Sequence, residues 1–317
     1  MAGMKELAAQ VKELEDQLVI CIRCGMCQSV CPLFEQTRKE SDVARGKLAL
    51  LEGLMNNFFS DPDGVNQRLN KCLLCGSCAA NCPSGVNAVE IFVKARGILA
   101  EYKGLSPVKK LIFKKMLTNP SLFNRLTEHL GRFQWIFMKS DNNTQGTSCA
   151  RLVSPLIEGR HILPVAKVPF HNSDFQPVSA PGRSGLSVVF FVGCIIDKIF
   201  PSIAQASMTV FKHHGVGVLC PENQGCCGIP ALASGDRQSF DALIEHNLDL
   251  LKGLKFDYLL TACATCTSTI KKLWPLLYQG KGSGTRAFVR EISEKTLDIN
   301  QFLINRLTVE EASQKNE

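Results

Sequence analysis

Two short segments of the sequence share one cysteine spacing, C-x2-C-x2-C-x3-C-P, and this repeat limits the possible folds more than any other feature. The segments are CIRCGMCQSVCP and CLLCGSCAANCP. Their cysteines are Cys21, Cys24, Cys27 and Cys31 in the first, and Cys72, Cys75, Cys78 and Cys82 in the second. Three thiolates spaced in this way wrap three corners of a cubane, and small residues between them let backbone N–H groups approach its sulfides. The repeat therefore predicts two [4Fe–4S] clusters.

Zinc is the alternative ligand, because zinc ribbons use two separated C-x2-C pairs. A third cysteine two residues further on, and a fourth before proline, favour iron–sulfur clusters instead. The segments resemble those of bacterial two-cluster ferredoxins, in which the fourth cysteine ligates the other cluster. The resemblance implies one cluster on Cys21, Cys24, Cys27 and Cys82 and another on Cys72, Cys75, Cys78 and Cys31. The long helix-rich stretch between the segments is similar to the α-helical ferredoxins of quinone- and flavoprotein-linked iron–sulfur subunits.

Five further cysteines follow at wider spacing. Cys194 precedes the adjacent pair Cys226–Cys227, and the segment CATC supplies Cys263 and Cys266. Adjacent cysteines rarely bridge each other, since a vicinal disulfide lies outside the usual Cα spacing. All five follow predicted strands of a parallel sheet, so one sheet edge can gather them.

This pattern resembles the cysteine-rich CCG domain of the heterodisulfide reductase and glycolate oxidase iron–sulfur families. The resemblance implies a third, non-cubane [4Fe–4S] cluster in which a paired cysteine bridges irons, with Gly228 allowing the turn after the pair. Three alternatives stay open: an ordinary four-ligand cluster with one spare thiol, a zinc site, and a metal-free redox dithiol. Cys149 and Cys220 are predicted to be spare thiols.

The predicted fold is an α-helical two-cluster ferredoxin domain followed by an α/β parallel-sheet CCG domain. Residues 1–138 form the first domain, the turn-rich residues 139–184 form a linker, and residues 185–317 form the second domain. Within the last range, the apolar runs LSVVFFVG, VGVLC and DYLLTA predict strands that alternate with helices.

Fifteen cysteines in a chain of 317 residues indicate metal binding in a reducing compartment, because the polar N-terminus lacks the features of a signal peptide. We expect a cytoplasmic protein, peripheral on the inner face of the membrane. Residues 94–139 hold ten Lys or Arg against two acidic residues, which accounts for the net charge of +7. This basic stretch predicts either a docking surface for a membrane or partner, or a solvated helix face.

The order of the two domains is similar to that of the iron–sulfur subunits of glycolate or D-lactate dehydrogenase and of the corresponding subunit of anaerobic glycerol-3-phosphate dehydrogenase. The resemblance implies an electron-transfer subunit that carries electrons from an FAD-containing 2-hydroxy-acid dehydrogenase subunit to a quinone or other carrier. Such subunits usually carry a second CCG motif, so a one-motif variant, a split gene or a truncated copy is expected here.

No dinucleotide fingerprint is found, since GVGV leads into a strand and GKGSGTR lies between helices. We therefore expect no hydride abstraction and no catalytic residue in this chain, and no nucleic-acid partner. The alternative function is a heterodisulfide-reductase-like thiol/disulfide oxidoreductase with the CCG site as its active site. A third hypothesis is an iron–sulfur sensor or scaffold.

Overall fold

The computed structural model describes residues 2–134, 138–140, 148–150, 163–173, 178–280 and 282–307. It contains two compact units. The first combines Met1–Phe113 with Pro230–Phe240, and the second combines Lys114–Ile229 with Asp241–Glu317. Much of the predicted linker lies outside the described residues, so the three-part division stays a prediction.

The first unit is helical. Its helices are α1 Ala2–Lys12, α2 Glu15–Leu18, α3 Met26–Ser29, α4 Pro32–Thr37, α5 Ala44–Met55, α6 Asp63–Lys71, α7 Ser77–Ala80, α8 Ala88–Lys103 and α9 Pro107–Leu111. Apolar residues three or four positions apart put one stripe of each long helix into the core. Leu7 and Val11 of α1, Leu51 of α5 and Leu99 of α8 are fully buried there. Five of the eight predicted cubane ligands pack against this core, so the cysteine segments lie on a rigid helical base.

A segment from the second half of the sequence completes the first unit. The guanidinium of Arg96 on α8 donates to the carbonyl oxygens of Ala233, at 2.7 Å, and of Cys72, at 2.6 Å. Gly235 has a φ of +83° and lies so close to α8 that an added Cβ would stand 2.4 Å from the Arg96 carbonyl oxygen. Only glycine tolerates both the positive φ and the lack of space for a Cβ, and it therefore allows the segment to pack closely against α8.

The second unit contains a five-stranded sheet in the order β3-β5-β4-β6-β7. The strands are β3 Val178–Ser179, β4 Ser187–Phe190, β5 Gly217–Leu219, β6 Tyr258–Thr261 and β7 Thr296–Asp298. The last four are parallel, and β3 pairs antiparallel with β5 at one edge. A separate hairpin joins β1 Met138–Ser140 to β2 Ser148–Ala150.

Helices connect the parallel strands, because parallel neighbours need a crossover connection. The helices after α9 are α10 Pro120–Phe133, α11 Gly193–Lys198, α12 Pro201–His213, α13 Ile229–Ala233, α14 Arg237–Leu251, α15 Ala264–Ser268, α16 Trp274–Leu277, α17 Ser283–Lys295 and α18 Ile299–Arg306. Phe190 of β4 makes an edge-to-face contact with Phe211 of α12, whose ring lies 5.5 Å away. This apolar layer packs against the sheet, and the loops that follow the strands of the sheet can form a site.

The predicted fold class is confirmed, with a helical first domain and a parallel-sheet second domain. Asp298 ends strand β7 and caps α18, its carboxylate accepting from the Asn300 N–H at 2.9 Å. Edge strand β3 lies in the predicted linker. Within the described part of the chain, no helix is long and apolar enough to cross a membrane.

A charge network ties three elements of the second unit together. His171 contacts the carboxylate of Asp197 on α11 through Nδ1, at 2.8 Å, and that of Glu128 on α10 through Nε2, at 3.1 Å. Lys198 also pairs with Asp197, at 2.5 Å. Burial alone would lower the pKa of His171, but the hydrogen bonds and charges of the two carboxylates outweigh burial and raise it. His171 lowers the pKa of Glu128, and His171 with Lys198 lowers that of Asp197 against the effect of burial.

We predict that this network stabilises the fold most between about pH 4.5 and 6.5, the interval between the ordinary carboxylate and histidine pKa values. The carboxylate contribution disappears as the pH falls, and the histidine contribution disappears as the pH rises through its elevated pKa. His171→Gln should therefore lower the melting temperature more at pH 6 than at pH 9. His246→Gln is the control, since His246 Nε2 meets the Asn223 carbonyl oxygen instead. A melting-temperature deficit that grows from pH 6 to pH 9 would contradict this assignment.

Candidate functional site

The two repeated cysteine segments adopt the same backbone conformation. Arg23 and Leu74 occupy the left-handed region, with φ of 58° and 54°. Gly25 and Gly76, two residues later, have φ of 87° and 80°. Each glycine is the N-cap of a one-turn helix, α3 or α7. The left-handed glycine reverses the chain between the second and third cysteine, so three thiols of each segment face one point.

Each segment surrounds a cavity that the other segment completes. One cavity is lined by Cys21, Cys24, Cys27 and Cys82, with Cys78 also on its wall. The other is lined by Cys31, Cys72, Cys75 and Cys78. At each cavity, the structure therefore brings together three cysteines of one segment and the fourth cysteine of the other. We call these cavities the first and the second cubane site.

Burial and neighbouring thiols raise the pKa values of two of the thiols at these sites. Burial, with the neighbouring thiols of Cys72 and Cys75, raises the pKa of Cys78 to about 11. Burial also raises the pKa of Cys27. Cluster ligands must be deprotonated, so a bound metal cluster would supply the positive charge that lets these thiols ionise. The donor set, four cysteines around each cavity, fits a cubane iron–sulfur cluster.

Two buried cations at the second cubane site have no signal in the cysteine spacing. Lys47 of α5 lines the cavity with 1% of its surface exposed. Arg96 of α8 is 4% exposed and donates to the carbonyl oxygen of the ligand-bearing residue Cys72. Burial lowers the pKa of Lys47, and the thiols of Cys72 and Cys31 oppose this effect. The sequence offers no signal for either residue, because the burial of a helical lysine or arginine is set by the packing of the unit.

All five cysteines of the CCG pattern meet in the second unit. Cys194 Sγ lies 3.6 Å from Cys226 Sγ. Cys227 contacts both Cys226 and Cys266, and Cys266 contacts Cys263, so the five thiols form a continuous chain. An added Cβ on Gly193, whose φ is +71°, would lie 3.0 Å from Cys266 Sγ. Glycine at this position therefore lets the loop after β4 approach the other cysteines.

The adjacent pair is held by its backbone. Asn247 of α14 accepts from the Gly225 N–H at 2.9 Å and donates to the Cys226 carbonyl oxygen at 3.0 Å. Trp274 donates its indole N–H to the Cys227 carbonyl oxygen at 2.9 Å. Gly228 has a φ of +93°, which gives the tight turn predicted after the pair. These contacts fix the backbone of the pair, while its two buried sulfur atoms contact the other cysteines of the site.

Hydrogen bonds between thiols shift the pKa values of four of the five cysteines. Hydrogen bonds from Cys226 and Cys266 lower the pKa of Cys227, and the hydrogen bond with Cys266 lowers that of Cys263 to about 6. Hydrogen bonding raises the pKa values of Cys226 and Cys266. Several thiolates in a buried site need a cation for charge balance, and deprotonated sulfur is the preferred ligand of iron–sulfur clusters.

A cavity of about 440 Å³ opens beside this site, entirely within the second unit. Its wall includes the apolar side chains of Phe123, Phe170 and Met208 and the charge network of His171, Asp197 and Lys198. Cys194 and Cys226 also line it. A small organic molecule in this cavity would therefore touch two of the five cysteines.

The remaining cysteines differ from these thirteen. Burial raises the pKa of Cys220 to about 12, and its sulfur accepts a hydrogen bond from Gln224. The side chain of Cys149 lies outside the described residues.

Among the side chains that the structure describes, no group of three or more His, Cys, Asp or Glu could hold a single metal ion. A cubane places its ligands at separate corners, further apart than the ligands of one ion.

Two family models match the chain in the regions predicted for the two domains. The model described as a 4Fe-4S dicluster domain matches residues 17–86. The model described as a cysteine-rich domain, CCG, matches residues 188–271. Both matches include all the cysteines assigned above to their respective sites. No solved structure matches the chain.

Relatives of the chain are subunits of several oxidoreductases. The probable glycolate oxidase iron-sulfur subunit of Bacillus subtilis is 25% identical over 92% of this chain and 68% of its own length. A subunit of the CoM/CoB fumarate reductase of Methanothermobacter marburgensis is 26% identical over 90% of this chain, which spans 47% of that protein. A subunit of the dihydromethanophenazine:CoB--CoM heterodisulfide reductase of Methanosarcina mazei is 25% identical over 85% of this chain and 60% of its own length.

These findings confirm the resemblance derived from the cysteine spacing. The chain joins a 4Fe-4S dicluster domain to a CCG cysteine-rich domain, and it is a relative of the iron–sulfur subunits of glycolate oxidase and heterodisulfide reductase.

Proposed function

We propose that this chain is the iron–sulfur electron-transfer subunit of a 2-hydroxy-acid dehydrogenase complex, of the glycolate or lactate type. The observation that carries the proposal is the presence of three separate cysteine-lined sites in one chain. Several redox centres in series carry single electrons over distances that one centre cannot span. The protein would set their potentials through ligands, hydrogen bonds and burial.

The proposed ligands follow from the lining of the sites. One cubane cluster takes Cys21, Cys24, Cys27 and Cys82, and the other takes Cys31, Cys72, Cys75 and Cys78. A third, non-cubane [4Fe–4S] cluster takes Cys194, Cys226, Cys227, Cys263 and Cys266. Five convergent thiols exceed the four ligands of one cubane, and the contact of Cys227 with thiols on both sides supports a bridging role for the adjacent pair.

The proposed partner is an FAD-containing dehydrogenase subunit, and the proposed acceptor is a quinone or another carrier. We place the protein in the cytoplasm, peripheral on the inner face of the membrane. The basic stretch supports this location, because Val108 and Leu111 are 52% and 61% exposed between lysine residues on the helical segment that begins at Pro107. Exposed apolar residues among lysines suit the surface of an anionic bilayer.

The second candidate function is a thiol/disulfide oxidoreductase in which the five-cysteine site is catalytic. The cavity of about 440 Å³ beside Cys194 and Cys226 favours it, since a small disulfide would fit there against the cluster ligands. The two candidates differ in what happens at that cavity. The first needs only electron transfer through the site, whereas the second needs a substrate bound in it.

The function is tested by anaerobic purification from the native host, identification of the proteins that co-purify, and dye-reduction assays with several 2-hydroxy acids. We expect a flavoprotein to co-purify and glycolate or lactate to reduce the dye. Oxidation of the reduced dye coupled to reduction of a disulfide, with no dye reduction by any 2-hydroxy acid, would contradict the first candidate and support the second.

The crossed ligand sets predict the effect of Cys82→Ser. This substitution should damage the cluster at the first cubane site, held otherwise by Cys21, Cys24 and Cys27, although Cys82 belongs to the second segment. Electron paramagnetic resonance (EPR) spectra of the reduced variant report which cluster changes. Cys31→Ser is the matched variant and should damage the other cluster. If each substitution affects the cluster of its own segment, the crossed assignment is wrong.

The five-cysteine assignment predicts the iron content of Cys227→Ser. Three four-iron clusters correspond to about twelve iron atoms per chain, and loss of one leaves about eight. Cys227→Ser should therefore lower iron from about twelve toward eight while both cubane EPR signals persist. Cys220→Ser, which alters a thiol outside the chain of contacts, should keep about twelve. Equal iron in wild type and Cys227→Ser, with only thiol chemistry lost, would identify a metal-free catalytic dithiol.

A further inference from the structure

Helix α5 carries cationic side chains to both cubane sites. Arg45 lines the first site, and Lys47, two residues later, lines the second. The Arg45 side chain is 26% exposed, whereas the Lys47 residue is 1% exposed. The two sites therefore have the same thiol ligands but different electrostatic surroundings.

At the first cubane site, the cations are paired with exposed acids. Arg45 Nε lies 2.6 Å from a carboxylate oxygen of Glu40, whose side chain is 56% exposed. Arg23, which also lines this site, lies 2.5 Å from Glu52. These four charges sum to zero, and water screens them because they lie near the surface.

At the second cubane site, the buried cations meet neutral acceptors. Lys47 Nζ donates to the backbone carbonyl oxygen of Asp42. The Asp42 carboxylate, which is fully buried, pairs instead with Arg68 at 3.1 Å. Arg96 donates to the carbonyl oxygens of Leu69, Cys72 and Ala233. Lys47, Arg96 and Arg68 against the single acid Asp42 leave two positive charges in excess.

Other differences between the sites are small. Cys24 and Cys75 are the equivalent exposed cysteines of the two segments, and the other six predicted ligands are intermediate in exposure. The left-handed glycines give the two segments the same backbone. The exposure of the ligands and the backbone of the two segments are therefore similar, whereas the buried charges of the two sites differ.

Reduction adds one negative charge to a cluster, and a nearby buried cation stabilises that charge more than a solvated one does. Resting on the proposed iron–sulfur function, we infer that Lys47 and Arg96 make the second cubane site the electron sink of the pair. An electron delivered to either cubane cluster therefore resides on the cluster at the second site. The ligands of that cluster are Cys31, Cys72, Cys75 and Cys78. Lys47, Arg96 and Asp42 act through their charges on the potential of this cluster, and none of them is a cluster ligand.

The test is an EPR-monitored redox titration of the anaerobically purified full chain, reduced with dithionite in the presence of mediators. Cys24→Ser and Cys75→Ser assign the two signals, because these cysteines belong to the first and second site in both the crossed and the uncrossed arrangement. In wild type, the second-site signal should appear at the higher potential.

Lys47→Met keeps the length and apolar stem of the side chain and removes its charge. At fixed applied potential, it should change the ratio of reduced to oxidised second-site cluster about tenfold toward the oxidised form, which equals about 59 mV for a one-electron couple. Arg45→Met, on the same helix, should change the first-site ratio by less than about twofold, because its charge is partly exposed and paired with Glu40.

Asp42→Asn gives the opposite sign and does not depend on the stability of the lysine variant. Removal of this buried negative charge should shift the second-site ratio toward the reduced form and leave the first site unchanged. If the first-site signal appears at the higher potential in wild type, or if neither substitution moves the second-site ratio, the inference is wrong while the iron–sulfur function stands. If iron analysis finds no cluster at Cys72, Cys75 and Cys78, both the inference and the proposed function fall.

Discussion

Mutual repulsion of closely spaced thiolates is the constraint on which the rest of the structure depends. Thirteen cysteines gather at three places, and at each of them burial and neighbouring thiols shift the pKa of at least one cysteine. Thiolates crowded in this way are stable only when a cation neutralises them. The surrounding side chains hold the ligand loops in place, and a bound metal cluster would supply the neutralising charge.

The two domains hold their ligand loops by different means. In the helical unit, the loops owe their shape to their own left-handed residues, Gly25 and Gly76, and rest on the helical core. In the parallel-sheet unit, the adjacent pair depends on distant side chains, since Asn247 and Trp274 bind its carbonyl oxygens. The first kind of loop is encoded within twelve residues, while the second requires the whole unit to fold. Loss of Trp274 or Asn247 would therefore disturb the five-cysteine site without touching a thiol.

The sequence predicted the parts of the fold that depend on local spacing. The resemblance to two-cluster ferredoxins implied which thiols of the two segments meet. Apolar runs located strands β4, β5 and β6, because buried parallel strands are short and continuous in hydrophobicity. Strand β7 was missed, since the three residues Thr296–Asp298 directly follow a helix and carry little strand signal. The close approach of Gly235 to α8 was also missed, as were the contacts of Arg96 with carbonyl oxygens. The contacts of α8 with Ala233 and Gly235 join residues more than a hundred positions apart, and no local pattern records them. Burial of Lys47 is likewise a property of the packed unit, because nothing in the neighbouring sequence distinguishes it from the exposed lysines.

The central claim is that one chain holds three iron–sulfur clusters, two in the helical unit and one at the adjacent cysteines. Native mass spectrometry of the anaerobically purified wild-type chain counts them directly, because each cluster adds the mass of four irons and four sulfides. We expect a principal species that carries three such clusters and loses them stepwise under collisional activation. A principal species with two clusters, or with zinc in place of the third, would contradict the proposed ligand role of Cys226 and Cys227.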